Sequence, residues 1–140
     1  MILIVDDDFD IASLIRISLE RAGLFVSAFT DPLLALERFR SDSSIYNLVL
    51  SDIRMPHMNG YEFVSQIKKL KPSVKIILMS AFEFSNSEIF SEIDDFLGKP
   101  IALHKLNEIV LRNLKDVPTL NRKSYDNTGE TKHTNDYYVP

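Results

Sequence analysis

Six side chains scattered along the sequence have types that fit one chemistry. Asp6, Asp7 and Asp8 stand in a row, Asp52 and Ser80 follow at wide intervals, and Lys99 precedes Pro100. Clustered carboxylates raise one another's pKa unless a cation lies among them. Mg²⁺ takes oxygen ligands, commonly one or two carboxylates with waters and a phosphate. A phosphoryl group in transfer spreads its charge over three oxygens. A metal neutralises one of these and an ammonium such as Lys99 a second. A hydroxyl such as that of Ser80, or a backbone N–H, serves the third. Asp52 is then the candidate nucleophile, because a carboxylate is already ionised at neutral pH and needs no general base. Taken singly, each residue also has an ordinary reading. Asp8 caps a helix, Asp52 is a turn residue ahead of Pro56, Ser80 is a satisfied hydroxyl at a strand end, and Lys99 is a surface lysine. The ordinary readings must all hold independently, whereas one phosphoryl site explains every position at once.

These residues are far apart in sequence, so a scaffold must gather them. Ile2 to Val5, Leu48 to Leu50 and Val74 to Met79 are uninterrupted apolar runs, the pattern of strands covered on both faces. Phe25 to Phe29 and Phe96-Leu97 are weaker strand candidates. Between them lie helical patterns. Ile11, Leu14, Ile15, Leu19 and Ala22 share one face, with Gly23 as the stop. Asp31-Pro32 reads as a cap and first turn ahead of Leu33 to Phe39. Asn59-Gly60 opens a helix carrying Phe63, Val64, Ile67 and Leu70. Glu83 to Glu92 is a poor, Ser-rich helix, and Leu103, Leu106, Ile109, Val110 and Leu114 mark the last one. Strand and helix alternate five times, which predicts an α/β fold with a doubly wound, five-stranded parallel sheet. Ligands of such sheets bind beyond the carboxyl ends of the strands. Asp6 to Asp8, Ser51-Asp52, Ser80-Ala81 and Lys99-Pro100 all fall at or just after such ends.

Four stretches, ILIVDDD from Ile2, LVLSDIRMPHMNG from Leu48, IILMSA from Ile76 and DDFLGKP from Asp94, occur in an order that resembles the receiver domain of response regulators. The likeness is to the single-domain chemotaxis type, and it covers about Met1 to Lys115. It implies a flavodoxin-like (βα)5 fold and a phosphorylated Asp52. It places a Mg²⁺ or Mn²⁺ on Asp7, Asp52 and the backbone carbonyl of Arg54, with Asp6 acting through water. It gives Lys99, Ser80 and the Ala81 backbone N–H to the phosphoryl oxygens. Ser80 and Phe96 become the switch pair, and the Lys99-Pro100 bond is expected cis. Phe82 and the Arg54 side chain take positions that affect the lifetime of the acyl phosphate; a bulky apolar Phe82 either lengthens it by obstructing the attacking water or serves with Phe84 to cover a shortened fourth helix. The implied donor is a histidine kinase or phosphotransfer protein. Such a switch modifies itself and is not an enzyme in the usual sense. The stretch from Ser80 to Lys99 is shorter than usual for the family, by nearly one helical turn. A short or irregular fourth helix is therefore expected, on the surface such domains use for targets or a phosphorylation-dependent dimer.

The bulk properties agree. The chain has 140 residues, with a net charge of −4 and no cysteine. These numbers fit one domain, offer no electrostatic footprint for nucleic acid or an anionic membrane, and exclude disulfides and thiolate sites. No apolar stretch is long enough to span a bilayer, and Met1 to Val5 lacks the basic lead of a signal peptide, so a cytoplasmic protein is expected. Asp116 to Pro140 is polar and poor in aliphatics, and reads as a disordered tail or linker, with the output domain or target unknown. Other readings stay open: a receiver that works by binding alone, or a phosphate shuttle in a relay. A nucleotide or flavin protein is disfavoured, because three aspartates after strand one would repel a phosphate.

Overall fold

The computed structural model describes residues 1–81 and 91–115, together with the backbone of 123–125 and 131–133. Strands β1 (Ile2–Val5), β2 (Val26–Phe29), β3 (Leu48–Asp52), β4 (Lys75–Ser80) and β5 (Asp95–Gly98) form one sheet in the order β2-β1-β3-β4-β5. Every pairing in that sheet is parallel. Helices α1 (Phe9–Arg21), α2 (Pro32–Ser41), α3 (Gly60–Leu70) and α4 (Leu103–Asn113) cover it. The chain runs outward from β1 to β2, then returns past β1 to β3. The direction of winding therefore reverses between β1 and β3, where doubly wound sheets open a crevice at their carboxyl edge.

The uninterrupted apolar runs have a simple cause. Side chains alternate across a strand, and both faces of this sheet are covered. Leu3, Val5, Val49, Ile76 and Leu78 pack with Ala35, Leu36 and Phe39 of α2 and Phe63, Val64 and Ile67 of α3. Ile2, Ile4, Leu48, Leu50, Ile77 and Met79 pack with Ile15 and Leu19 of α1 and Leu106 and Val110 of α4.

Local signals set the helix ends. The Asp8 carboxylate accepts the N–H groups of Asp10 and Ile11 at 2.9 and 3.3 Å, so Asp8 is an N-cap. Gly23, at a φ of 89°, ends α1 in a Schellman motif. The Gly23 N–H reaches the Glu20 carbonyl at 3.0 Å and the Leu24 N–H reaches that of Leu19 at 3.1 Å. Asn59 and Glu62 form a reciprocal cap at α3: the Glu62 N–H donates to Asn59 Oδ1 at 2.9 Å, and Asn59 Nδ2 donates to Glu62 Oε1 at 3.1 Å.

Gly60 is dictated by proximity. A Cβ there would stand 2.3 Å from the Asp52 carbonyl oxygen and 2.8 Å from Ile53 Cα. Its N–H closes the β3–α3 loop onto the Ile53 carbonyl at 2.7 Å. Gly60→Ala should cost about 1–3 kcal/mol, because the atoms it meets are backbone that cannot rotate away. Urea denaturation checks this, and an unchanged midpoint would show slack in the loop.

Two expectations need correction. Leu14 and Ala22 are exposed, Leu14 by 48%. The core stripe of α1 is Ala12, Ile15 and Leu19, while Leu14 and Leu103 line an open groove between α1 and α4. Leu70 and Leu103, read as part of the apolar stripes of their helices, lie at helix ends and are exposed. Within the polar C-terminal segment, read as a disordered tail or linker, the described residues are β6 (Lys123–Tyr125), paired antiparallel with β7 (Thr131–His133), three residues each. The expected short fourth helix, Glu83 to Glu92, lies outside the described residues except for Ser91 and Glu92.

Candidate functional site

The three consecutive aspartates divide their roles through two side-chain turns. Asp6 is fully buried; its Oδ1 accepts the Asp8 N–H at 2.9 Å. Asp8 turns the other way and caps α1. Asp7, between them, is left exposed at the crevice mouth. Asp52 ends β3 and is buried, with Oδ1 accepting the N–H of Ile53 at 2.9 Å.

Lys99 joins the two halves of the site. Its Nζ lies 2.8 Å from Asp6 Oδ2 and 3.2 Å from Asp52 Oδ2. The Lys99 N–H donates to the Ser80 carbonyl at 2.8 Å, which fixes the turn after β5 against the end of β4. The Lys99–Pro100 bond is cis, as the resemblance implies. Ser80 is buried at the end of β4, and Ala81 follows it, exposed. Phe96, on β5 beside Leu78, is half-buried against the α2/α3 side of the core. Arg54 is exposed in the loop closed by Gly60. Phe82 lies outside the described residues.

The electrostatics follow from this crowding. Burial first, then the neighbouring Asp6 charge, push the Asp52 carboxyl above its ordinary range, against the opposing pull of Lys99 and the Ile53 N–H. For Lys99, burial alone would lower the ammonium; the hydrogen bond and charge of Asp6, then those of Asp52, outweigh it and hold the pKa above the usual lysine value. One ammonium is shared by Asp6 and Asp52, and Asp7 stands beside them, so the cluster keeps a surplus of negative charge.

One oxygen from each of Asp6, Asp7 and Asp52 lies within 4.8 Å of the other two, the one such cluster among the described residues. Octahedral Mg²⁺ with bonds of 2.0–2.1 Å holds its oxygens about 2.9 Å apart at right angles and about 4.2 Å apart when opposite. The donor set therefore fits a hard cation after a small closure. Both oxygens of Asp6 are already engaged, by the Asp8 N–H and by Lys99, which suits an indirect ligand better than a direct one.

The structure thus brings together Asp6, Asp7, Asp52 and Lys99, with Ser80 and Ala81 at the adjoining strand end. Two residues with a part in the geometry were not singled out in the sequence. Ser51 donates from Oγ to the Asp52 carbonyl at 2.9 Å. Its signal was a lone hydroxyl inside an apolar strand. Asp94 accepts the Ile76 N–H on Oδ2 at 2.8 Å and donates its own N–H to the Ile76 carbonyl at 2.9 Å, which sets the register of β5. An acid next to Asp95 in a loop carries no such signal.

A switch-point crevice holding an acid cluster and a bridging lysine defines a class. Residues 2–111 match the model of the response regulator receiver domain, and the chain belongs to that family. It is 34% identical over 108 residues to the transcriptional regulatory protein ZraR of Klebsiella oxytoca, covering 75% of this chain and 24% of ZraR. It is 32% identical over 108 residues to the C4-dicarboxylate transport transcriptional regulatory protein DctD of Rhizobium meliloti, covering 75% of this chain and 23% of DctD. The chain thus spans about a quarter of the length of these curated relatives. The crystal structure of the receiver domain of NtrX from Brucella abortus superposes with a TM-score of 0.71 at 27% identity, covering 83% of this chain and 99% of that one.

Proposed function

We propose that this receiver accepts a phosphoryl group on Asp52 from a phosphohistidine of a histidine kinase or phosphotransfer protein, and that the modification changes its interaction surface. The observation that carries the reading is the Lys99 ammonium shared between Asp6 and Asp52 at 2.8 and 3.2 Å. A cation held there is placed to meet the charge that develops on a phosphoryl group arriving at Asp52.

A Mg²⁺ or Mn²⁺ ion, held by Asp7, Asp52 and the Arg54 carbonyl with Asp6 through water, would supply charge neutralisation to the phosphoryl oxygens. The protein's own groups do the rest. An Asp52 oxygen attacks phosphorus, the P–N bond breaks, and the imidazole leaves with the bonding pair. Lys99 trades part of its pairing with Asp6 and Asp52 for a phosphoryl oxygen. Ser80 and the Ala81 N–H turn to the remaining oxygens, and Phe96 follows Ser80 inward. Phosphorylation adds charge and acceptor oxygens, which biases a two-state surface. The chain acts on no substrate beyond the donor, so it is a switch and not a turnover enzyme. The reading places it in the cytoplasm, with an output domain, a separate target or a phosphorylation-dependent dimer downstream. Among the described residues no helix is long and apolar enough to cross a membrane.

Incubation with Mg²⁺ and acetyl phosphate or phosphoramidate, followed by intact mass measurement, tests this. One added phosphoryl group is expected, and none when EDTA removes the metal. No adduct from any donor would favour a receiver that works by binding alone.

A further inference from the structure

Ser51 is 0% exposed and lies one residue before the phosphoacceptor, yet the chemistry proposed above gives its hydroxyl no task. Alternation along β3 puts its side chain with Val49, on the face covered by α2 and α3. A hydroxyl is a costly choice in that layer unless it is hydrogen-bonded. Its partner is the Asp52 carbonyl oxygen, 2.9 Å away.

That carbonyl belongs to the peptide joining Asp52 to Ile53. The N–H at the other end of the same peptide donates to Asp52 Oδ1 at 2.9 Å. A peptide unit is planar and stiff, so fixing its C=O also fixes the direction of its N–H. We propose that Ser51 is a positioning residue for the phosphoacceptor: its hydroxyl holds one end of a rigid peptide whose other end holds the Asp52 carboxylate. Gly60 packs against the same carbonyl and its N–H closes the loop on the Ile53 carbonyl, so the unit is braced on a third side. With Oδ1 held in this way, Oδ2 stands at 3.2 Å from the Lys99 ammonium. Without the Ser51 hydroxyl, the peptide can rock and the carboxylate rotates away from Lys99. Misplacement on this scale is costly for a reaction that depends on alignment.

This inference rests on phosphorylation of Asp52 for its rate effect, but not for its direct readout. In Ser51→Ala, the rate of phosphorylation by acetyl phosphate with saturating Mg²⁺ should fall roughly tenfold. Ser51→Thr, which keeps the hydroxyl, should recover to within about threefold of wild type. In an amide-resolved NMR spectrum, the Ile53 N–H signal should shift and exchange faster in S51A and stay near its wild-type position in S51T. A purely structural hydroxyl would lower the melting temperature of S51A while leaving the Ile53 amide and the rate unmoved, and that result overturns the proposal. If S51A does not fold, Ser51→Cys, with a weaker donor of similar shape, carries the same comparison against S51T. A wild-type chain that takes no phosphate would refute the proposed function, and the Ile53 amide would still decide whether Ser51 holds the carboxylate.

Discussion

Lys99→Met is expected to slow phosphorylation of Asp52 at least tenfold and to destabilise the fold by about 3–5 kcal/mol at neutral pH, the usual effect of removing one partner from a buried ion pair. Asp6 is the reason for the stability loss. Its carboxylate is fully buried, and Lys99 is its salt-bridge partner at 2.8 Å. Methionine fills the space of the lysine stem but leaves that charge uncompensated. The rate loss comes through Asp52. Without the ammonium at 3.2 Å, the effects of burial and of Asp6 on its pKa go unopposed by charge, so less of the nucleophile is ionised. The cation that meets the arriving phosphoryl charge is lost as well. Lys99→Arg keeps the charge but replaces a point ammonium with a planar fork, and should fall between the two. Urea melts and single-turnover phosphorylation measure the two effects separately. Saturating Mg²⁺ should restore part of the stability and little of the rate. A variant that folds and takes phosphate within twofold of wild type would remove Lys99 from the chemistry.

The second large effect is a coupling between pH, metal and stability at Asp52. Its carboxyl is held above the ordinary range by burial and by Asp6. In the pH window between the ordinary value and the raised one, the folded state binds more protons than the unfolded state. Stability is therefore full below that window and falls as pH rises through it. Lys99, held above the usual lysine value, contributes stability that is lost only at alkaline pH, so it does not blur the window. In EDTA, the urea midpoint should decline as pH rises above the ordinary carboxylate range, and Asp52→Asn should flatten the decline and exceed wild type above it. Mg²⁺ at about a hundred times its dissociation constant should add about 2.7 kcal/mol to the wild type, and much less to Asp52→Asn. Equal midpoints for apo wild type and Asp52→Asn at neutral pH would contradict the crowding described here.

The sheet was legible because its chemistry is repetitive. Runs such as Ile2 to Val5 and Ile76 to Met79 have one physical explanation, burial on both faces, and the two core layers supply it. The acid positions were legible because strand ends converge on one edge. The division of labour among Asp6, Asp7 and Asp8 followed from the resemblance and the N-cap reading and not from the residue types, since the same side chain can cap a helix, pair with Lys99 or face solvent. The turn geometry separates them. Leu14 was misplaced because a helical wheel gives a face but not its width; that depends on how closely α4 approaches α1. Ser51 was passed over because its partner is a backbone carbonyl, which no sequence pattern marks. Asp94 was hidden in the same way by its bond to the Ile76 N–H.

On the proposed function, the carboxylate of Asp52, and not that of Asp6 or Asp7, receives the phosphoryl group. Borohydride cleaves an acyl phosphate and leaves homoserine where the aspartate stood. Wild-type protein incubated with Mg²⁺ and acetyl phosphate, reduced, digested and read by peptide mass should carry homoserine at position 52, dependent on both metal and donor. Homoserine at position 6 or 7, or at no position while the phosphate adduct is present, would rule out Asp52 as the acceptor.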